Sequence, residues 1–285
     1  MSSDQTQSTT AKRASIIISF YNNIAMLKHI LRSLENQYNA QFEVIIADDG
    51  SAREVVEEVL EIKKNYSFEI RHVWQEDIGF GKSIILNKSV LLANNDFLIF
   101  IDGDCVPQKH FVEDHLNRLG PGVCQAGRRV DVYYDGIKQI DSNAPEAFFK
   151  KNWLKILYWS ITSRTRNFEK GIRVKSTIGK YMMGKKKWSL VGCNFSLHRQ
   201  DLIAINGFDE RANVPWGAED ADLDRRLRKF GVCIESLNCQ AIAIHFDHAY
   251  FKRGSDKVDD SDRVDIFKLA KLEDQSWTPF GIIKK

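Results

Sequence analysis

Asp102, Gly103 and Asp104 stand directly after the apolar run 97-FLIFI-101. Two carboxylates separated by one small residue can share one hard divalent cation, because Mg²⁺ and Mn²⁺ take oxygen ligands and accept diphosphate oxygens in the same shell. Such a cation neutralises charge that builds on a departing diphosphate. A second acidic group, 48-DDGS-51, follows the run 42-FEVIIA-47. Carboxylates placed there can accept hydrogen bonds from a base N–H or from ribose hydroxyls, and Gly50 permits a tight turn; the plainer reading is a turn capped by Ser51. A third group, 216-WGAED-220, opens a helical pattern. Acids at a helix start are commonly dipole partners, and one of them could equally be a general base for a hydroxyl acceptor. Finally, 245-HFDH-248 follows the run 240-QAIAIH-245. Imidazole is a ligand for ions such as Mn²⁺, and His245, at the run's end, fits better than His248.

These groups need a frame that brings them together. Residues 15–20, 42–47, 68–74 and 96–101 read as short β-branched strands buried on both faces, alternating with helical spacings such as Ile24, Leu27, Leu31 and Leu34. Asn22 or Asn23 can cap the first helix; a second runs from about 81 to 93 and a third over 220–230, stopped by Gly231. Strand–helix alternation implies an α/β fold with a doubly wound, mostly parallel sheet. Ligands of such sheets gather beyond the C-terminal strand ends, where both acidic groups lie. Asp222, two residues beyond Asp220, faces another way on a helix.

The expected organisation is a lead-in over 1–13, one large domain over 14–250 and an appendage over 251–285. Within the domain, 14–130 is the nucleotide-sugar half, 131–188 a basic insertion and 189–250 the catalytic half. Residues 150–187 hold twelve Lys or Arg against one acid, Glu169, with aromatic and aliphatic residues interleaved. That segment reads either as a solvated helical flap or as a surface for anionic lipid or a lipid-linked acceptor. The net charge of +3 and the absence of a fold signature exclude nucleic acid as a partner. Five scattered cysteines without a C-x-x-C pair suit a reducing cytosol. The polar N-terminus carries no hydrophobic signal region, and no run approaches a spanning length. The string 79-GFGKS-83 ends like a phosphate-binding loop, but Glu76 stands where the first glycine belongs. Lys82 is a weak candidate for approaching a donor.

Together, 16-IIISFYN-22, 48-DDGS-51, Asn87, 98-LIFIDGD-104, 207-GFDE-210 and 216-WGAED-220 resemble the family-2 glycosyltransferases of GT-A fold. The stretch 192-GCNFSLHRQDLIAINGFDE-210, followed by WGAEDADLDRRLRKFG, is similar to a galactosyltransferase-type segment, found also in bacterial chondroitin-type polymerases. The resemblance spans 14–130 and 189–248. It implies an inverting displacement from a nucleoside-diphosphate sugar, commonly UDP-linked, with Mn²⁺ or Mg²⁺ as cofactor. Metal ligands would be Asp102, Asp104 and His245. Donor contacts would be Ser19, Tyr21, Asn22, Asp48, Asp49, Asn87, Asp102 and Gly103, with Asp48 near the nucleobase. Trp216, Gly217 and Glu219 would meet the acceptor, and Asp220, with Glu219 close behind, would be the base. Where the family has Pro-Thr-Tyr-Asn, this chain has Ser19-Phe20-Tyr21-Asn22. A glycan or lipid-linked acceptor in bacterial surface polysaccharide or lipopolysaccharide synthesis follows from the same resemblance. So does a cytoplasmic location, at the inner face of the plasma membrane. The competing readings are a sugar-phosphate nucleotidyltransferase, which would carry a Gly-rich phosphate loop at 20–23, and a catalytically silent carbohydrate-binding relative.

Overall fold

The computed structural model describes residues 12–174, 189–212, 219–246 and 274–284. Strands β1 (Arg13–Phe20), β2 (Gln41–Asp48), β3 (Ile70–Trp74) and β4 (Phe97–Asp102) carry the expected β-branched runs. They lie parallel, with β1 between β2 and β4 and with Ile17 opposite both Ile45 and Phe100. Ile16, Ile17 and Ile18 are all fully buried. A strand buried on both faces therefore shows a continuous apolar run instead of alternation.

Helices sit on both faces. On one, Ile16, Ile18, Val44 and Ile99 pack with Leu27, Leu31 and Leu34 of α1 (Ile24–Glu35) and Val59 of α2 (Arg53–Ile62). On the other, Ile17, Ile45, Leu98 and Phe100 pack with Ile85 and Leu86 of α3 (Lys82–Leu92). Asn23 is the residue that caps α1, its side chain accepting from Met26 N at 3.2 Å.

Beyond β4 the chain departs from simple alternation. It turns at Gly103–Asp104 into β5 (Cys105–Pro107), then forms α4 (Phe111–Leu116), β6 (Val123–Ala126) and β7 (Arg129–Val132). After α5 (Phe148–Ile161) and β8 (Thr165–Arg166) come β9 (Asn194–His198), α6 (Arg199–Ala204), α7 (Glu219–Phe230), β10 (Cys233–Ser236) and β11 (Ala243–Phe246). The large sheet has the order β10-β6-β9-β4-β1-β2-β3, with β9 antiparallel to β4 and β6. The expected strand at 190–198 is thus this antiparallel β9. The last expected strand is β11, which lies in a second sheet of order β5-β11-β7-β8. The turn at Gly103–Asp104 crosses from one sheet to the other.

Residues 274–284, expected to be a loosely held appendage, are packed. Asn206 Nδ2 donates to the carbonyls of Thr278 (2.7 Å) and Ile283 (3.0 Å), and the Thr278 hydroxyl donates to Asp209 Oδ2 at 2.7 Å.

Candidate active site

The C-terminal ends of β1, β2 and β4 share one sheet edge, as parallel pairing requires: Ser19 is opposite Asp102, and Phe20 is opposite Asp48. The Ser19 hydroxyl donates to Asp102 Oδ1 at 2.7 Å. Gly103 can follow because a Cβ there would lie 2.6 Å from Ser19 O. Its missing side chain lets the turn pass against β1.

Asp102 Oδ1 also receives Lys82 Nζ at 2.8 Å, and the same ammonium reaches Glu219 Oε1 at 3.2 Å. Lys82 opens α3, and Glu219 opens α7. Burial works against the charge on Lys82, but Asp102 and Glu219 outweigh it and hold the ammonium firmly protonated. By spacing alone Lys82 is only a weak donor candidate; its bridge between two acidic clusters comes from the fold.

Across the turn, Asp104 Oδ2 lies 3.5 Å from His245 Nε2, and Asp104 Oδ1 accepts the Cys105 thiol at 3.2 Å. His245 stands opposite Cys105 in β5 and Asp131 in β7. Its Nδ1 is 2.9 Å from Asp131 Oδ1. Burial lowers the proton affinity of the imidazole, yet hydrogen bonds to Asp104 and Asp131 prevail and push its pKa up to about 10. Burial would raise Asp131, but the bond to His245 and the nearby Arg129 guanidinium hold it below the usual carboxylate range. Arg129 Nε is 2.9 Å from Asp131 Oδ1. Asp131 lay outside the sequence reading: the short alternating run of β7 gives no spacing that links it to His245, and only sheet register does.

Asp48 is fully buried. Its Oδ1 accepts Ser51 N at 2.8 Å and its Oδ2 meets His72 Nε2 at 2.8 Å. His72, another residue the sequence left unmarked, comes from the neighbouring strand β3. Asp49 is nearly buried and accepts Gln75 Nε2 (2.8 Å) and Gly81 N (3.0 Å), fixing the start of α3. Gly50 has φ +87°, a conformation that favours glycine, and a Cβ there would lie 2.6 Å from Asp77 Cα. Tyr21 OH donates to Asp77 Oδ2 at 2.9 Å, tying β1's loop to the loop before α3, and Asn22 Oδ1 accepts Ala52 N at 2.9 Å, tying it to the end of the acidic turn.

Asn87 was expected at the donor, yet its amide is committed elsewhere. Nδ2 donates to Phe208 O (2.9 Å) and Glu210 Oε1 (3.0 Å), and Oδ1 accepts Phe208 N (2.8 Å). It is 2% exposed and clamps α3 to the 206–210 loop. Asp220 Oδ2 accepts Gly192 N at 3.1 Å, and Asp222, facing away as expected, pairs with Arg226 at 2.6 Å. Trp216, Gly217 and His248 lie outside the described residues.

Ligand types at the Asp102–Asp104 turn suit a hard divalent cation: carboxylate oxygens with one imidazole beside them. Among the described residues no group of three or more His, Cys, Asp or Glu side chains stands close enough to enclose an ion. An open pair such as Asp104 and His245, with Asp102 next to it, fits an ion that takes the rest of its shell from substrate phosphates and water.

Residues 15–190 match the family described as glycosyl transferase family 2, well over half of the chain. The chain belongs to glycosyl transferase family 2. Residues 172–249 also match the family described as the N-terminal domain of galactosyltransferase. Chondroitin synthase of Pasteurella multocida is 28% identical over 269 residues, covering 87% of this chain and 26% of that protein. The chain thus spans about a quarter of that relative's length. A crystal structure of GalNAc-T7 with UDP, GalNAc and Mn²⁺ superposes with a TM-score of 0.60 at 15% identity, covering 84% of this chain and 45% of that one. The mannosyltransferase PcManGT from Pyrobaculum calidifontis, in complex with GDP-Man and Mn²⁺, gives 0.54 at 17% identity, covering 86% and 59%. The fold of this family-2 member is GT-A, a mixed α/β domain around a mostly parallel sheet.

Proposed function

We propose that this chain is a metal-dependent, inverting glycosyltransferase. It moves a hexose or N-acetylhexosamine from a nucleoside-diphosphate sugar, UDP-linked, to a hydroxyl of a glycan or lipid-linked acceptor in bacterial surface polysaccharide synthesis. The observation that carries the reading is the bridge from Asp102 through Lys82 to Glu219. It joins the D-x-D turn to the acidic start of α7, two clusters more than a hundred residues apart in sequence. One ammonium thus links the acids that this reading assigns to the metal side and to the acceptor side. The Mn²⁺ and nucleotides held by the two solved relatives support the cofactor and donor class.

Asp102, Asp104 and His245, the last after losing the Nε2 proton that faces Asp104, would hold Mn²⁺ or Mg²⁺, which when bound stabilises charge on the diphosphate. Asp131 keeps the His245 ring oriented through Nδ1. Lys82 offers a second positive charge to the same diphosphate. The buried Asp48–His72 pair forms the floor on the nucleobase side. The acceptor oxygen attacks the anomeric carbon, the bond from that carbon to the diphosphate oxygen breaks, and the electron pair leaves with the diphosphate. Asp220 takes the acceptor's proton. Glu219 is engaged as a counter-ion to Lys82, so protonating it would strand that ammonium; among the described residues Asp220 meets a neutral backbone N–H from Gly192.

Release of nucleoside diphosphate, measured across a panel of nucleotide sugars with and without Mn²⁺, tests this. Release is expected to require the ion and to be lost in Asp104→Ala. Asp220→Asn should keep donor affinity and lose transfer. Metal-independent release that survives Asp104→Ala would overturn the mechanism, and lost donor affinity in Asp220→Asn would reassign that residue.

A further inference from the structure

Helix α5 has apolar residues on two opposite faces. Phe148, Ile156 and Trp159 are buried, with the Phe148 ring 5.0 Å from that of Phe246, the residue after His245. The opposite face carries Leu154, Leu157, Tyr158 and Ile161, an i, i+3, i+4, i+7 series that forms one stripe on a helix. These side chains are 63%, 37%, 60% and 79% exposed, and Trp153 beside them is 51% exposed. A helix apolar on both sides needs a cover on both sides, and among the described residues the fold covers only one.

Charge identifies the cover. From 148 to 166 the chain has five Lys or Arg and no Asp or Glu. Lys150 lies within the stripe, Lys151 and Lys155 lie along one flank, and exposed Arg164 and Arg166 follow its C-terminal end. Asp141 from a neighbouring turn pairs with Lys151 at 2.5 Å, and Lys155 lies 5.2 Å from the Trp159 ring. Amphipathic rings at the margins of an apolar stripe, set among basic residues, match the boundary between acyl chains and anionic headgroups. A second copy of the chain fits less well, because a two-fold contact through this stripe would set lysines against lysines.

We infer that α5 is a membrane-surface helix that seats the enzyme on an anionic bilayer through Leu154, Leu157, Tyr158 and Ile161. The inference deepens the reading of a lipid-linked acceptor and rests on it only for the acceptor's nature. Through Phe148 the helix packs on β11, and its C-terminal end leads into β8, where Arg166 is paired in register with Asp131. Docking this face would set the His245 end of the site beside the bilayer, within reach of a headgroup-linked saccharide.

The test is flotation of the full chain with vesicles of phosphatidylcholine alone or of phosphatidylcholine with phosphatidylglycerol. Binding is expected only to the anionic vesicles and should weaken with salt. The double variant Leu154→Glu, Ile161→Glu should lose it, while Mn²⁺-dependent donor hydrolysis in solution is unchanged. Lys150→Gln should weaken binding by roughly fivefold. Should the double variant fail to fold, quenching of wild-type tryptophan fluorescence by brominated lipid, diminished in Trp153→Phe, gives the same answer. No binding by the wild type, equal binding by the double variant, or a dimer that the double variant dissociates without effect on vesicles would each overturn the inference. Donor hydrolysis is scored without vesicles, so its failure would instead count against the glycosyltransferase reading.

Discussion

Asp131 and Lys82 are where the site's chemistry is most exposed to single substitutions. Asp131 touches His245 on the nitrogen that faces away from Asp104, and a carboxylate behind a ligating imidazole fixes its tautomer and aim. Asp131→Asn should therefore raise the Mn²⁺ concentration needed for half-maximal donor hydrolysis by about ten- to a hundredfold, with little change in the maximal rate; a metal titration of activity measures it. Lys82→Met should lower turnover by about a hundredfold, the scale for losing one preorganised positive group at a departing anion, and Lys82→Arg should recover part of it. Single-turnover kinetics at saturating donor separates that loss from weaker binding. Legibility at this scale was uneven. Asp102, Asp104 and His245 stand at strand ends, and strand ends can be found from apolar runs. Asp131 reaches His245 through register between strands far apart in sequence, and His72 reaches Asp48 through register with the next strand; no local pattern encodes either. Asp48 was legible as a site-edge residue, but its full burial was not, because that depends on His72 arriving from β3.

At the scale of elements, the parallel half was readable because continuous β-branched runs and helical spacings alternate there without interruption. The remainder was less so. Strands β5, β7, β8 and β10 are two to four residues long, too short to show a period. The antiparallel direction of β9 comes from chain routing and not from composition. Asn87 is named as a donor contact through the family resemblance; in the fold its amide joins α3 to the 206–210 loop through Phe208 and Glu210. Asn87→Leu would leave the buried Phe208 amide N–H and carbonyl without that partner, costing about 1–3 kcal/mol. Urea unfolding should register that loss, while the folded fraction binds nucleotide as the wild type does; weakened nucleotide binding with unchanged stability would restore the donor role.

Across the whole molecule, polar groups inside the core set the response to acid. His115 is fully buried, with Nδ1 2.8 Å from Ser196 Oγ and Nε2 3.0 Å from Asn194 Oδ1. Burial pushes its pKa down to about 4 from 6.5, despite the opposing bond to Asn194 and the charge of Asp114. The unfolded chain then binds a proton that the folded chain refuses between those values. Stability is unaffected above pH 6.5 and falls as the pH drops toward 4, by up to about 3 kcal/mol. Urea midpoints across that window should fall more steeply for the wild type than for His115→Gln. Among the described residues no helix is long and apolar enough to cross a membrane. The packing of residues 274–284 also has a practical side. The matched galactosyltransferase-type segment stops at residue 249, and a gene trimmed to that point would look complete by family criteria. It would nonetheless delete the strap that occupies Asn206 and Asp209, loosening the loop that Asn87 grips and, with it, the approach to α7. The sound boundary for expressing this fold lies beyond Lys284, well past the end of the recognisable family segment.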